Sequence, residues 1–206
     1  MTPDAGVIIM KRFTSAVILS LLLCSIMVSS LRIRSAVAAE PVYIRADGSV
    51  DPPTAPISIM GNVTYTLTGN ITSNDVGIMA VWSSGNNISQ NTVMRNLIKG
   101  IQLWLSCNDN VVSGNNMSSN GWAYNLIIYQ SSGNIVSGNY IRNSQTAAVY
   151  VLSSMGNVIS GNDIEGIWQS EQWKYGAIVL DEAMSTLIIG NNIRLNSVDG
   201  ISLFGA

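Results

Sequence analysis

The chain has 206 residues, 47% of them hydrophobic and 11% charged, with no histidine, two cysteines and a formal net charge of −2. That length sustains one domain with a good core. The absence of a basic surplus excludes nucleic acid as a partner, because neutralising phosphates needs a positive face.

Lys11 and Arg12 precede an apolar run from Phe13 to about Val28, and Ala36-Val37-Ala38-Ala39 follows. This order of charge, apolar stretch and small residues predicts a secretory signal over residues 1–39, cut near Ala38 or Ala39. Met10 is a second candidate start, since the residues before it add nothing to the pattern. The competing reading is an uncleaved anchor, because the run approaches the roughly 18–20 residues that span a bilayer. Membrane contact is expected only in that case. Leu21-Leu22-Leu23-Cys24 is a poor lipoprotein signal, so Cys24 is expected to leave with the leader. The remainder, about 167 residues, carries eleven acidic and six basic side chains and the single thiol of Cys107. No internal disulfide can form, and a secreted, cell-surface or periplasm-like location has to be met by packing alone.

Residues 40–69 read as a linker and capping strand. Asp51-Pro52-Pro53-Thr54-Ala55-Pro56 is a proline-stiffened connector, and Thr64 to Thr68 alternates like a strand able to cover the first coil. An open coil end is otherwise an unpaired edge.

From residue 70 to 206 the sequence repeats. Gly77, Gly100, Tyr124, Ala147, Gly176 and Gly200 set one column, with steps of 23 or 24 residues and one of 29. Asn91, Asn115, Asn139, Asn162 and Asn191 set a second, each but the first preceded by glycine. Apolar residues alternate with period two, as in Ile101, Leu103 and Leu105, or Ala148, Tyr150 and Leu152. Two more columns, Ile88, Val112, Val136, Ile159, Ile188 and Val93, Met117, Ile141, Ile164, Ile193, give each coil its own slice of core. A coil this short cannot bury its apolar face alone, so coils must stack. The fold expected is all-β, a parallel β-helix of about five to six coils of 23–24 residues. A leucine-rich repeat is disfavoured, because valine, isoleucine, serine and asparagine dominate. The asparagine column is expected to form a structural ladder, amide to amide.

The 29-residue step comes from an insertion after Gly166, Ile167-Trp168-Gln169-Ser170-Glu171-Gln172-Trp173-Lys174-Tyr175, and Trp122 falls at the same turn of an earlier coil. Flat rings beside amides and carboxylates suit sugar faces and hydroxyls. Trp122, Glu165, Trp168, Glu171, Trp173 and Tyr175 are therefore the candidate carbohydrate-binding residues. The alternative is a loop that folds its own tryptophans onto the coil. Trp82 aligns with Leu105, Tyr129 and Leu152 as an inward residue, and Trp104 faces out. Asn62, Asn70, Asn87 and Asn116 lie in Asn-x-Ser/Thr sites and could accept glycans on a secreted chain.

The segment Val42-Tyr43-Ile44-Arg45-Ala46-Asp47-Gly48-Ser49-Val50-Asp51-Pro52-Pro53-Thr54-Ala55-Pro56-Ile57 resembles the mature start of secreted archaeal right-handed β-helix proteins. The Ser-Gly-Asn repeats are similar to NosD-type periplasmic β-helices and to the wider carbohydrate-binding and sugar-hydrolase β-helix superfamily. The resemblance implies a right-handed helix, and its NosD branch implies copper delivery. The residues argue against copper, since histidine is absent and the methionines look scattered, so no metal and no cofactor are expected. Catalysis is not expected either. A hydrolase needs a facing pair of carboxylates, and the close pairs Asp163 with Glu165 and Asp181 with Glu182 form no convincing site. Glu165 shares an outward column with Arg142 and Arg194, which reads as a charge ladder. A lyase would need a base such as Lys99, Arg95 or Lys174, with nothing to single one out. The reading is a noncatalytic module that binds glycans or packs into a surface layer; a polysaccharide lyase or hydrolase is the runner-up. Ile201 to Phe204 enters another coil, and self-association through that coil is a further expectation.

Overall fold

The computed structural model describes residues 41–61, 64–67, 71, 75–168 and 176–205. The leader, Asn62, Asn70, Glu171, Trp173 and Tyr175 lie outside the described residues. All described residues belong to one compact unit.

Three sheets run along this unit. The longest stacks Val76–Val81, Lys99–Trp104, Tyr124–Tyr129, Ala147–Leu152, Gly176–Asp181 and Asp199–Phe204, every neighbouring pair parallel. A second stacks Thr92–Met94, Asn116–Ser118, Tyr140–Arg142, Asp163–Glu165 and Asn192–Arg194. The third runs from Asn87–Ser89 through Val111–Ser113, Ile135–Ser137 and Val158–Ser160 to Leu187–Ile189. The chain visits the sheets in turn, so each circuit is one rung of a parallel β-solenoid of about five turns. Antiparallel pairing occurs at the entry, where Val42–Ile44 meets Val50–Asp51 and Ile57–Met60 meets Thr64–Leu67. Val42–Ile44 then adds in parallel to Val76–Val81, and Thr64–Leu67 to Asn87–Ser89.

The two aliphatic columns read from the sequence face the core. Ile88, Val112, Val136 and Ile159 are buried in register, as are Val93, Met117, Ile141 and Ile164. Each buried aliphatic side chain contributes about 1.5–3 kcal/mol, which is how a thin rung acquires stability from its neighbours.

The asparagine ladder is present. Asn115 donates its backbone N–H and its Nδ2 to Asn139 Oδ1, both at 2.9 Å, and Asn139 does the same to Asn162 Oδ1. Each Nδ2 also reaches a strand carbonyl, Ile88 O from Asn115 at 2.9 Å and Val112 O from Asn139 at 2.8 Å. The residue before each ladder asparagine has positive φ: Gln90, Gly114, Gly138, Gly161 and Gly190 lie between 57° and 64°. Glycine serves there because a β-carbon resists that backbone geometry. Two further ladders accompany the first. Asn86, Asn110, Asn134 and Asn157 repeat the double donation at 2.8–3.1 Å, and Asn96 pairs with Asn120 at 2.8 Å.

Three register assignments are corrected. Tyr124 stands opposite Lys99 and Ala147, so Asn125, not Tyr124, shares the column of Gly77 and Gly100. The central rungs slip by one because the turn holding Trp122 has one more residue than the turn holding Gln145. On Ala147–Leu152, Ala148 lies in the core as expected and is joined there by Val149 and Val151, whereas Tyr150 packs in a separate cluster with Ile127, Ala147 and Val179. Trp82 is not inward. It is 64% exposed and occupies a corner at φ 49°, in line with Leu105, Gln130, Ser153 and Glu182, which share that left-handed geometry. A corner residue turns its side chain off the strand, so hydrophobicity alone misplaces it. Trp104 faces out and packs on Tyr129, ring centroids 4.2 Å apart.

Candidate functional site

The turn leading into the long sheet carries two exposed tryptophans, Trp122 and Trp168. The backbone N–H of Trp122 donates to Leu97 O at 3.0 Å and that of Trp168 to Ser144 O at 2.9 Å, so the main chain carrying both tryptophans is tied to the preceding rung. Their rings are 76% and 62% exposed. Leu97, on the rung preceding Trp122, is exposed as well. Gln145 occupies the intervening rung and is open to solvent. Trp122 and Trp168 therefore stand two rungs apart, about 10 Å at the spacing of parallel strands. A β-carbon on Gly166 would lie 3.5 Å from Trp168 Nε1, so this indole leans back over the glycine that opens the turn. Single exposed apolar residues are ordinary, whereas a row of them along one edge marks a contact surface.

Glu165 sits beside this edge in an ion-pair ladder. Its Oε1 lies 2.6 Å from Arg142 Nε and its Oε2 2.6 Å from Arg194 Nη1. The Arg142 contact is an ion pair without hydrogen-bond alignment at Nε. Arg142 also covers the Tyr140 ring, 3.5 Å from its centroid. Arg194 grips Asp163 at 2.9 and 3.1 Å, and Asn192 adds a bond to the same carboxylate at 2.9 Å. On the long sheet, Asp181 accepts from Tyr150 Oη at 2.7 Å, and Glu182 accepts from Ser153 Oγ at 2.8 Å. Every carboxylate of the two close pairs thus has its own partner. Lys99 bonds Gln102 at 3.3 Å beside the Trp104 ring, and burial pushes its pKa down.

Asn87 and Asn116 lie within strands of the third and second sheets, and their side chains are half-buried. Cys107 is buried in a column with Ser83 and Ser131, accepting from Ser83 N–H at 3.5 Å, and burial pushes its thiol pKa up.

This architecture of stacked parallel rungs defines a β-solenoid. Residues 42–206 match the family described as periplasmic copper-binding protein (NosD), and the chain belongs to that family. The enzymatically active domain of tailspike protein 2 from bacteriophage CBA120 has a similar fold, with a TM-score of 0.51 at 12% identity. The similarity covers 71% of this chain and 24% of the tailspike chain, so the present chain spans about a quarter of that protein's length. No curated protein matches the sequence.

The family description raises the question of copper donors. The sequence has no histidine, and among the described residues no three His, Cys, Asp or Glu side chains converge on one point. Cys107 is sealed in the core. Two soft donors occupy successive rungs. Met155 and Met184 pair across neighbouring rungs in a parallel bridge, and both are exposed at a cleft of about 480 Å³. The 29-residue step hides this pairing in the sequence, because it moves Met184 out of the 23–24-residue period. Thioethers suit cuprous ion, but the bridge pairs the two backbones and does not place the sulfurs together.

Proposed function

We propose that this chain is a noncatalytic, glycan-binding β-helix module that works outside the cytoplasm, exported by residues 1–39. The observation that carries the reading is the pair of exposed indoles, Trp122 and Trp168, two rungs apart on one edge of a rigid stack. Indole faces stack on the apolar faces of sugar rings, while Gln145 between them and the Glu165 ladder beside them supply hydrogen-bonding groups. Trp173, Tyr175 and Glu171 follow directly in the chain and belong to the same proposed edge. The periplasmic description of the family supports an extracytoplasmic location. Partnered carboxylates at Asp163, Glu165, Asp181 and Glu182 support binding over hydrolysis, which needs one carboxyl to deliver a proton and another to activate water.

The test is affinity electrophoresis and array binding on a panel of neutral and acidic polysaccharides. Trp122→Ala and Trp168→Ala are each expected to weaken binding about tenfold, and the pair to abolish it. Failure of the native chain to retain any glycan, or full retention by the double variant, would refute the assignment.

A further inference from the structure

The third sheet has an outer face unlike those of the other two. None of its seven strands, from Ile57–Met60 through Asn87–Ser89 to Leu187–Ile189, contains a charged residue. The second sheet carries Arg142, Asp163, Glu165 and Arg194, and the long sheet carries Lys99, Asp181 and Asp199. Outward positions of the third sheet form two columns. Val111, Ile135, Val158 and Leu187 stand in register in the first, and Ser89, Ser113, Ser137 and Ser160 in the second. Each of these residues is half-buried or exposed, Ile135 at 41% and Leu187 at 52%. A ridge of aliphatic side chains thus runs along the solenoid beside a trough of small hydroxyls, about 7 Å away.

Both borders of this face carry glycine. Gly114, Gly138, Gly161 and Gly190 turn the chain at one border, and Gly85 and Gly156 stand at the other, all with positive φ. A β-carbon at Gly85, Gly138, Gly156, Gly161 or Gly190 would meet nothing within 4 Å, so a flat partner can reach the strands there without displacing a side chain. Sheets that remain alone are usually protected by charge. Depletion of charge at the centre of a patch marks an interface, and flat sheets pack face to face about 10 Å apart.

Ridge and trough together define the partner. A half-turn about a line parallel to the solenoid axis, midway between the columns, sets the ridge of a second copy over the trough of the first, and the reverse. That rotation shifts nothing along the axis, so each rung meets the same rung and the repeats match over the whole face. No charge is buried by either copy. With its corners the face measures about 30 Å by 20 Å, on the order of 600 Å² per copy, at the low end of specific pairs.

We propose that the third sheet is a lateral docking surface for a second copy of this chain, giving a reversible, parallel dimer with its rungs aligned. The contact does not depend on glycan binding. Because the chain visits the three sheets in turn, Trp122 and Trp168 lie at the corner opposite this face and stay open in both copies.

Sedimentation velocity of the full chain over a concentration series is the test. A monomer–dimer equilibrium with Kd between about 1 and 100 µM is expected. Ile135→Lys and Ser137→Glu should each weaken it at least tenfold, with melting temperatures close to that of the native chain. Thr92→Lys on the second sheet and Leu203→Lys on the strand Asp199–Phe204 should leave it unchanged. The half-turn sets position 135 of one copy over position 137 of the other. An equimolar mixture of the Ile135→Lys and Ser137→Glu chains should therefore associate at least tenfold more tightly than either alone. A chain that stays monomeric to about millimolar concentration, association that survives both face variants, or a mixture no tighter than its components would overturn the proposal. Association abolished by Leu203→Lys and untouched by the face variants would overturn it in favour of contact through the strand Asp199–Phe204.

Discussion

Replacing Asn139 by aspartate tests the ladder at its centre. Asn139 Oδ1 accepts two bonds from Asn115, and Nδ2 donates to Asn162 Oδ1 at 2.9 Å and to Val112 O at 2.8 Å. Aspartate keeps the two accepted bonds and loses both donations, each worth about 1 kcal/mol net. It also turns a carboxylate oxygen against two oxygens in a site closed to water. The carboxyl then ionises only well above its usual range, and a rise of about two to three pK units adds roughly 3–4 kcal/mol at pH 7. The total is about 5 kcal/mol, or roughly 10–20 °C in Tm for a chain of this size. The sign of the pH effect follows. A folded-state pKa above the unfolded value means that the folded variant holds more protons, so its stability falls as pH rises from about 4 toward that pKa. Asn191→Asp is the control, because Asn191 is only half-buried and its carboxylate would be solvated. Its cost is expected to stay below about 2 kcal/mol. Urea and thermal unfolding at pH 4.5 and pH 7 measure both variants. Equal costs at the two positions, or a loss under about 1 kcal/mol at Asn139, would refute the argument.

Gly121→Ala should be the most damaging small change at the turns. A β-carbon there would lie 1.5 Å from Leu97 O, so the rung must move, and a loss of about 3 kcal/mol or more is expected in chemical denaturation. Glu165→Gln removes the negative charge between Arg142 and Arg194 and should cost about 2 kcal/mol, with the difference from the native chain shrinking as salt rises. Cys107 should resist a thiol reagent at pH 8 until the chain unfolds, because burial raises its pKa and closes access, while Cys107→Ser should retain the fold in a column that already holds Ser83 and Ser131.

The solenoid was legible because its determinants are periodic. Asn115, Asn139 and Asn162 recur with their glycines at fixed steps, and Val112, Val136 and Ile159 recur with them. The ladder of Asn86, Asn110, Asn134 and Asn157 is equally periodic, with glycine before three of its four members. The phase of the long strands was harder to read. Both faces of Ala147–Leu152 are apolar, so alternation cannot distinguish Val149 from Tyr150, and one additional turn residue before Tyr124 moves the register by one. Trp82 escapes the pattern for a related reason, since a left-handed corner breaks the alternation of a strand. The Met155–Met184 pair depends on knowing which residue follows a 29-residue step onto the next rung, and that requires the bridge itself. Exposure of Trp122 and Trp168 likewise follows from position on a turn, not from residue type.

In-step stacking of the rungs underlies the ladders and the tryptophan edge alike, and methyl–methyl nuclear Overhauser contacts on a selectively labelled chain measure it directly. Cross-peaks should join Val112 to Val136 and Val136 to Ile159, pairs 23 or 24 residues apart whose strands are bonded in register. If those methyls instead contact residues three or four positions away in sequence, or meet partners displaced by one along the strand, the ladders and the sites built on them would be contradicted.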